Sequence, residues 1–148
     1  MGRMHGRLAP KQTLLLILLP MLATFVFQRV YLHLVQVQHV YPAGYLVHHL
    51  FTGALIEIPA AFILAFGTRN RLLALLAPAA LGIGSAMVLD EVTYLVATQA
   101  TDEDYVSPLS VWGAIILITL ATILLLVLYR WHCQKTSNGE GVRSEGSY

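Results

Sequence analysis

Long runs of hydrophobic residues, separated by short polar segments, dominate the pattern of this chain. The four runs cover residues 13–35, 45–66, 72–96 and 109–129. Each reaches the roughly 20 residues that a helix needs to cross the hydrocarbon core of a bilayer. None alternates apolar and polar residues as a membrane barrel strand does, and isolated strands would leave backbone groups unpaired in lipid. The pattern predicts an all-α fold, a polytopic transmembrane bundle of four helices.

The segments between these runs are short and cover residues 36–44, 67–71 and 97–108. Short connections favour antiparallel packing of consecutive helices. Residues 1–133 are therefore expected to form one four-helix transmembrane domain. Residues 134–148 are rich in Ser, Gly, Glu and Asn, and this composition predicts a disordered cytoplasmic tail.

The first run has a second interpretation as a cleaved signal peptide. Arg3, Arg7 and Lys11 precede the apolar residues 14–19, which is the order of charge and apolarity found in such peptides. However, the apolar stretch continues well past Pro20 and contains no A-x-A cleavage site. These features favour a first helix that is retained.

The Lys and Arg residues outside the predicted spans lie at one end of the bundle. They precede the first helix, fill the second loop with Arg69 and Arg71, and follow the fourth helix, whereas the first and third loops contain no Lys or Arg. By the positive-inside rule, both termini are cytoplasmic in a multi-pass protein of the cell membrane. The third loop contains Asp102, Glu103 and Asp104, and in this orientation it could cover the outer mouth of the bundle or bind a cation.

The composition supports a lipid environment and excludes other classes of protein. Of the 148 residues, 57% are hydrophobic and 11% are charged, whereas soluble domains carry about 25% charged residues. The net charge of +1 supplies no basic face for nucleic acid, so the expected partner is the lipid bilayer. The single cysteine, Cys133, excludes a disulfide framework and a cysteine-based metal centre.

Seven ionisable residues interrupt the predicted spans, and such residues are candidates for function because they are costly in lipid. They are Arg29, His33, His48, His49, Glu57, Asp90 and Glu91. At a helix rise of about 1.5 Å per residue, six of them share the outer half of the bilayer and Glu57 lies near the midplane. We predict a ligand- or proton-binding site formed by Arg29, His48, His49, Glu57, Asp90 and Glu91.

The charges of this set do not balance, because three carboxyl groups face the one guanidinium of Arg29. If all are ionised, two negative charges are left uncompensated. Protonation of carboxyl groups, protonation of His48 or His49, or a bound divalent metal ion could each neutralise them, and all three remain open. Adjacent helical residues point about 100° apart, so we expect one member of each pair to face the bundle and the other to be held in a helix–helix contact or to reach the interface. We choose His49 and Glu91, which are also the candidate metal ligands.

The same residues fit three classes of function. The first is a small membrane protein with a polar, outward-facing pocket for a ligand, a proton or an ion. The second is a metal-dependent membrane enzyme, although the common nucleotide-binding and hydrolase motifs do not occur. The third is a structural or assembly subunit in which an Arg29 salt bridge to Asp90 or Glu91 only holds helices together, in a homo-oligomer or a larger membrane complex.

Four short motifs carry a resemblance to a known type of protein. They are His48-His49-Leu50-Phe51-Thr52-Gly53, Gly82-Ile83-Gly84, Asp90-Glu91 and Asp104-Tyr105-x-Ser-Pro. Between residues 41 and 108 this pattern resembles one found in small prokaryotic integral membrane proteins of uncharacterised activity. The resemblance implies that the histidine pair and the acidic pair belong to one site, and it implies no particular reaction.

Overall fold

The computed structural model describes residues 8–35, 48–99 and 101–144, without the side chains of residues 102, 103 and 137–144. The described residues form five helices, namely α1 (Pro10–Leu34), α2 (His49–Phe66), α3 (Arg71–Ala97), α4 (Asp102–Tyr105) and α5 (Pro108–Ser144). All four long helices are long and apolar enough to cross a membrane. The predicted all-α class and the four spanning helices are confirmed, and the cytoplasmic placement of the termini stays a prediction.

The bounds of the helices differ most from the predicted spans at the beginning of α2 and at the end of α5. Helix α2 begins at His49, four residues later than predicted, and residues 45–47 lie outside the described part of the chain. Helix α5 continues to Ser144, into the segment that we expected to be disordered. Extension of an existing helix is easier than nucleation of a new one, which favours continuation of α5 past the span.

The short helix α4 lies in the third loop, where the hydrophobic pattern predicts none. Its first turn is closed by a capping box, since the Thr101 hydroxyl accepts from the Asp104 backbone N–H at 3.3 Å. The Asp104 carboxylate accepts in return from the Thr101 backbone N–H at 3.2 Å. This reciprocal pair satisfies two backbone donors, and it holds the turn that carries Tyr105.

Helix α3 is the centre of the bundle and packs against α1, α2 and α5. The residues buried along it are Ala77, Pro78, Gly82, Gly84, Ala86, Asp90, Glu91 and Tyr94. Two glycines allow α2 and α3 to approach closely, because a Cβ atom on Gly84 would lie 2.7 Å from the backbone oxygen of Gly53. Small residues at such crossings let helix backbones meet in a membrane. This contact fixes the position of α2 along α3.

The outward surfaces of the bundle are strongly apolar. Helix α2 exposes Phe51, Leu55 and Phe66, and α5 exposes Trp112 and many aliphatic side chains. Such surfaces would associate in water and are suited to lipid tails. The polar side chains buried by α3 therefore stand out as the feature that lipid does not explain.

Candidate functional site

The carboxylate of Asp90, fully buried on α3, is paired with Arg29 from α1. Arg29 Nε donates to Asp90 Oδ1 at 2.5 Å, and Nη2 donates to the backbone oxygen of Asp90 at 3.2 Å. The remaining donors reach the backbone oxygen of Tyr105 at 2.9 Å and the Ser110 hydroxyl at 3.3 Å. One guanidinium group thus joins α1 to α3, α4 and α5.

Tyr105 of α4 completes the environment of Asp90. Its hydroxyl donates to Asp90 Oδ2, and the Arg29 guanidinium carbon lies 4.6 Å from the centre of its ring. Burial, and then the neighbouring negative charge of Asp90, raise the pKa of the Tyr105 phenol above its ordinary value of 10.0. The phenol therefore remains protonated and acts as a hydrogen-bond donor to the carboxylate.

The next residue on α3, Glu91, points instead toward the beginning of α2. It is 1% exposed, and its Oε1 atom lies 2.6 Å from His48 Nδ1. The backbone N–H of Leu50 donates to Glu91 Oε2 at 2.5 Å. Because the first N–H groups of a helix have no partner within it and carry partial positive charge, this position suits a carboxylate.

His49 connects the environments of the two acidic residues. Its Nε2 atom lies 3.5 Å from Asp90 Oδ2, and its Nδ1 atom lies 3.5 Å from Glu91 Oε2. Its Nε2 atom is also 3.5 Å from the Tyr105 hydroxyl oxygen. These separations are longer than a typical hydrogen bond. The imidazole therefore stands between the acids without a short bond to either.

We refer to these six side chains as the polar cluster: Arg29, His48, His49, Asp90, Glu91 and Tyr105. Tyr94 packs beside it, with its ring centre 5.3 Å from that of Tyr105 and 6.4 Å from that of His48. The side chains of His48 and His49 are 21% and 23% exposed, whereas those of Asp90 and Glu91 are at most 2% exposed. The histidines are thus the outer edge of the cluster and the carboxylates are its interior.

The sequence predicts that one member of each adjacent pair faces the bundle and that the other is held in a helix–helix contact or reaches the interface. Asp90 makes such a helix–helix contact, with Arg29 of α1. Both acidic residues are buried because α3 is surrounded by other helices, so two directions about 100° apart both lead into protein. His48 is not constrained by the helix, since it precedes α2 with an extended backbone at φ −71° and ψ 143°. Its ring can therefore reach Glu91 alongside that of His49.

Two of the predicted polar residues lie outside the polar cluster. Glu57 accepts a hydrogen bond from the Ser85 hydroxyl at 3.1 Å, and it follows His49 by eight residues, or about 12 Å along the helix. His33 lines a mostly apolar cavity of about 350 Å³, beside Arg29 and Tyr105. The predicted convergence is therefore found for five residues, Arg29, His48, His49, Asp90 and Glu91, and does not include Glu57.

A metal ion was one of the alternatives, with His49 and Glu91 as candidate ligands. Within the described residues, no group of three or more His, Cys, Asp or Glu side chains is arranged to hold a metal ion. Glu91 is instead engaged with His48 and the Leu50 N–H. The described geometry is that of a hydrogen-bonded network.

Sequence reasoning missed three contributors to this network. Ser110 is fully buried in α5 and its hydroxyl accepts a hydrogen bond from Arg29. A single serine in an apolar run gives no distinct signal in the sequence. The Leu50 backbone donor depends on where α2 begins, which the hydrophobic pattern placed too early. Tyr105 lies outside the four apolar runs and carries no charge, and its signal in the sequence is the Asp104-Tyr105 motif.

Comparison of the chain with protein-family models, with curated proteins and with solved structures gives no match. The resemblance to small prokaryotic membrane proteins therefore stays a prediction. The geometry of the polar cluster is the basis for any functional conclusion.

Proposed function

We propose that the protein is a membrane protein whose polar cluster binds a proton, in the outer half of the bilayer. The observation that carries this proposal is the charge balance of the cluster. The cluster contains two buried carboxyl groups, those of Asp90 and Glu91, and one guanidinium group, that of Arg29. An unpaired buried charge is costly, so one further positive charge or one bound proton is needed.

The missing charge belongs to the Glu91 side of the cluster. Asp90 is compensated by Arg29 and by the Tyr105 hydroxyl. Among the described residues, Glu91 is in contact with the Leu50 N–H and with the imidazole rings of His48 and His49, and Asp90 is its neighbour on α3. One proton shared by Glu91 and the two imidazoles neutralises this half of the site.

The histidines also supply a route between this proton and the aqueous phase. Both rings are about one-fifth exposed, whereas the carboxylates behind them are buried. Histidine exchanges protons near neutral pH and serves as a proton shuttle for that reason. On the orientation expected from the basic residues, the exposed edge faces the outer side of the membrane.

Infrared difference spectroscopy of the purified protein tests this proposal. Spectra are compared between about pH 5 and pH 8, where ordinary histidine changes its charge. We expect wild-type protein to give carboxyl or imidazole difference bands that disappear in Glu91→Gln. The matched control is Glu57→Gln, which removes the carboxyl group that lies outside the cluster and should keep those bands.

Each outcome of this experiment has a definite meaning. Bands that disappear in Glu91→Gln and persist in Glu57→Gln support a proton bound at the cluster. If the bands are unchanged in a folded Glu91→Gln protein, the proton-binding proposal is wrong and the cluster serves to hold the helices together. A metal bound in stoichiometric amount by the wild type, and lost in Glu91→Gln, would also overturn it in favour of a metal-dependent membrane enzyme.

A further inference from the structure

A larger cavity lies at the other end of the bundle from the polar cluster. It has a volume of about 550 Å³ and opens between α1, α2 and α5, near the beginning of α3. Helix α2 packs mainly against α3, which leaves space between α2 and the pair formed by α1 and α5. Sites for small molecules occupy roughly 300–1,000 Å³, so this cleft is large enough for a ligand.

The lining of the cleft changes from apolar to polar along the helix axes. Leu14, Ile17 and Leu125 form part of its apolar lining, whereas Thr68, just after the end of α2, and His132 of α5 supply polar groups. Lining residues on α1 extend over seven positions, which corresponds to a depth of about 10 Å. An occupant must therefore have an apolar portion inside the cleft and a polar portion at its mouth.

Three basic residues are next in sequence to residues that line the cleft. Lys11, Arg69 and Arg130 are exposed and each directly follows a residue that lines the cleft. The carboxylates whose side chains are described lie elsewhere, on the middle of α2, the outer part of α3, and α4. Among described side chains, no carboxylate opposes these basic residues at the mouth.

From this combination we infer that the cleft binds an anionic phospholipid. One acyl chain occupies the apolar part, and the phosphate group lies at the mouth among Thr68, His132 and the flanking basic residues. Basic pockets between helices on the cytoplasmic side attract anionic headgroups in this way. A neutral phospholipid matches the apolar part of the cleft equally well. Its headgroup has no net negative charge to pair with the basic residues that flank the mouth.

Mass spectrometry of the intact protein, released from detergent after delipidation, tests the preference for negative charge. Phosphatidylglycerol and phosphatidylcholine with identical acyl chains are titrated separately. We expect phosphatidylglycerol to bind at least about fivefold more tightly, as one basic residue near an anionic headgroup would give. Arg69→Gln should lower that preference. Lys135→Gln should retain it because Lys135 does not line the cleft and its ammonium group lies over the Trp131 ring, 4.1 Å from the ring centre.

A second pair of variants tests whether the cleft itself is the site. Ala74→Phe adds a ring at a position that lines the cleft and should weaken binding of both lipids by about tenfold or more. Leu76→Phe adds bulk at an exposed position of the same helix and should leave binding unchanged. Thermal unfolding of each variant establishes that it is folded.

The inference is overturned if the two lipids bind equally, or if a folded Ala74→Phe protein binds phosphatidylglycerol like the wild type. It is also overturned if the cleft is filled by a second copy of the chain, which would appear as a lipid-free dimer that Ala74→Phe converts to a monomer. Arg69 is exposed and its substitution does not disturb the core. The charge test therefore remains decisive even if Ala74→Phe does not fold.

Discussion

Arg29→Met is expected to lower the free energy of unfolding in detergent by about 3–5 kcal/mol, the range found when one partner of a buried ion pair is removed. The substitution keeps an apolar side chain of similar length at this position. It leaves the Asp90 carboxylate buried without its cation and removes the donors that join α1 to α3, α4 and α5. Equilibrium unfolding by denaturing detergent, followed by circular dichroism, measures the effect.

A double-mutant cycle separates the ion pair from the general loss of the arginine. Asp90→Asn introduced into Arg29→Met removes the unpaired charge and should recover part of the lost stability. Arg130→Met is the control, since exposed substitutions usually change stability by about 0.5 kcal/mol or less and Arg130 is exposed. If Arg29→Met costs no more than this control, the pair does not hold the bundle together.

Gly84→Ala is expected to lower the free energy of unfolding by about 1–3 kcal/mol, the usual cost of overpacking. The added methyl group would lie 2.7 Å from the backbone oxygen of Gly53 and 2.8 Å from Glu57 Cβ, so α2 must move away from α3. Because His49 is the first residue of α2 and His48 directly precedes it, the same movement should weaken the contacts of both with Glu91. Detergent unfolding measures the first effect, and the infrared difference bands of the polar cluster measure the second.

Ala61→Val is the control for added bulk on the same pair of helices. Ala61 is exposed on α2, so two extra methyl groups there should leave both stability and the infrared bands unchanged. The account of the α2–α3 contact is contradicted if Gly84→Ala unfolds at the same denaturant concentration as Ala61→Val. It is contradicted in part if stability falls while the bands of the polar cluster stay at their wild-type intensity.

The fold could be predicted from the sequence because lipid imposes a simple requirement. Every spanning segment must be a helix with a long apolar run, and four such runs are visible. The convergence of Arg29 with the histidines and the acidic pair could also be predicted, because helix rise alone brings them to a similar depth. Depth depends on position along one helix, which sequence supplies directly.

The arrangement around Asp90 and Glu91 could not be predicted in the same way. Whether a side chain on a helix is buried depends on where the neighbouring helices lie, which the sequence does not give. Because α3 is packed against α1, α2 and α5, side chains that point in two directions from it are both buried. The position of His48 depends on α2 beginning at His49, because His48 then precedes the helix and has an extended backbone. Tyr105 and Ser110 contribute through a short loop helix and a buried helix face that apolar runs do not reveal.

We propose that Glu91, His48 and His49 together hold one proton at neutral pH, and magnetic resonance of the histidine ring nitrogens measures whether they do. Protein labelled at the histidine ring nitrogens is measured by magnetic resonance. The Glu91 carboxyl group is detected by infrared spectroscopy, and the Glu91→Gln variant assigns its signals. We expect either that one of the two imidazoles is protonated beside an ionised Glu91, or that Glu91 is protonated beside two neutral imidazoles. Two neutral imidazoles beside an ionised Glu91 would contradict it.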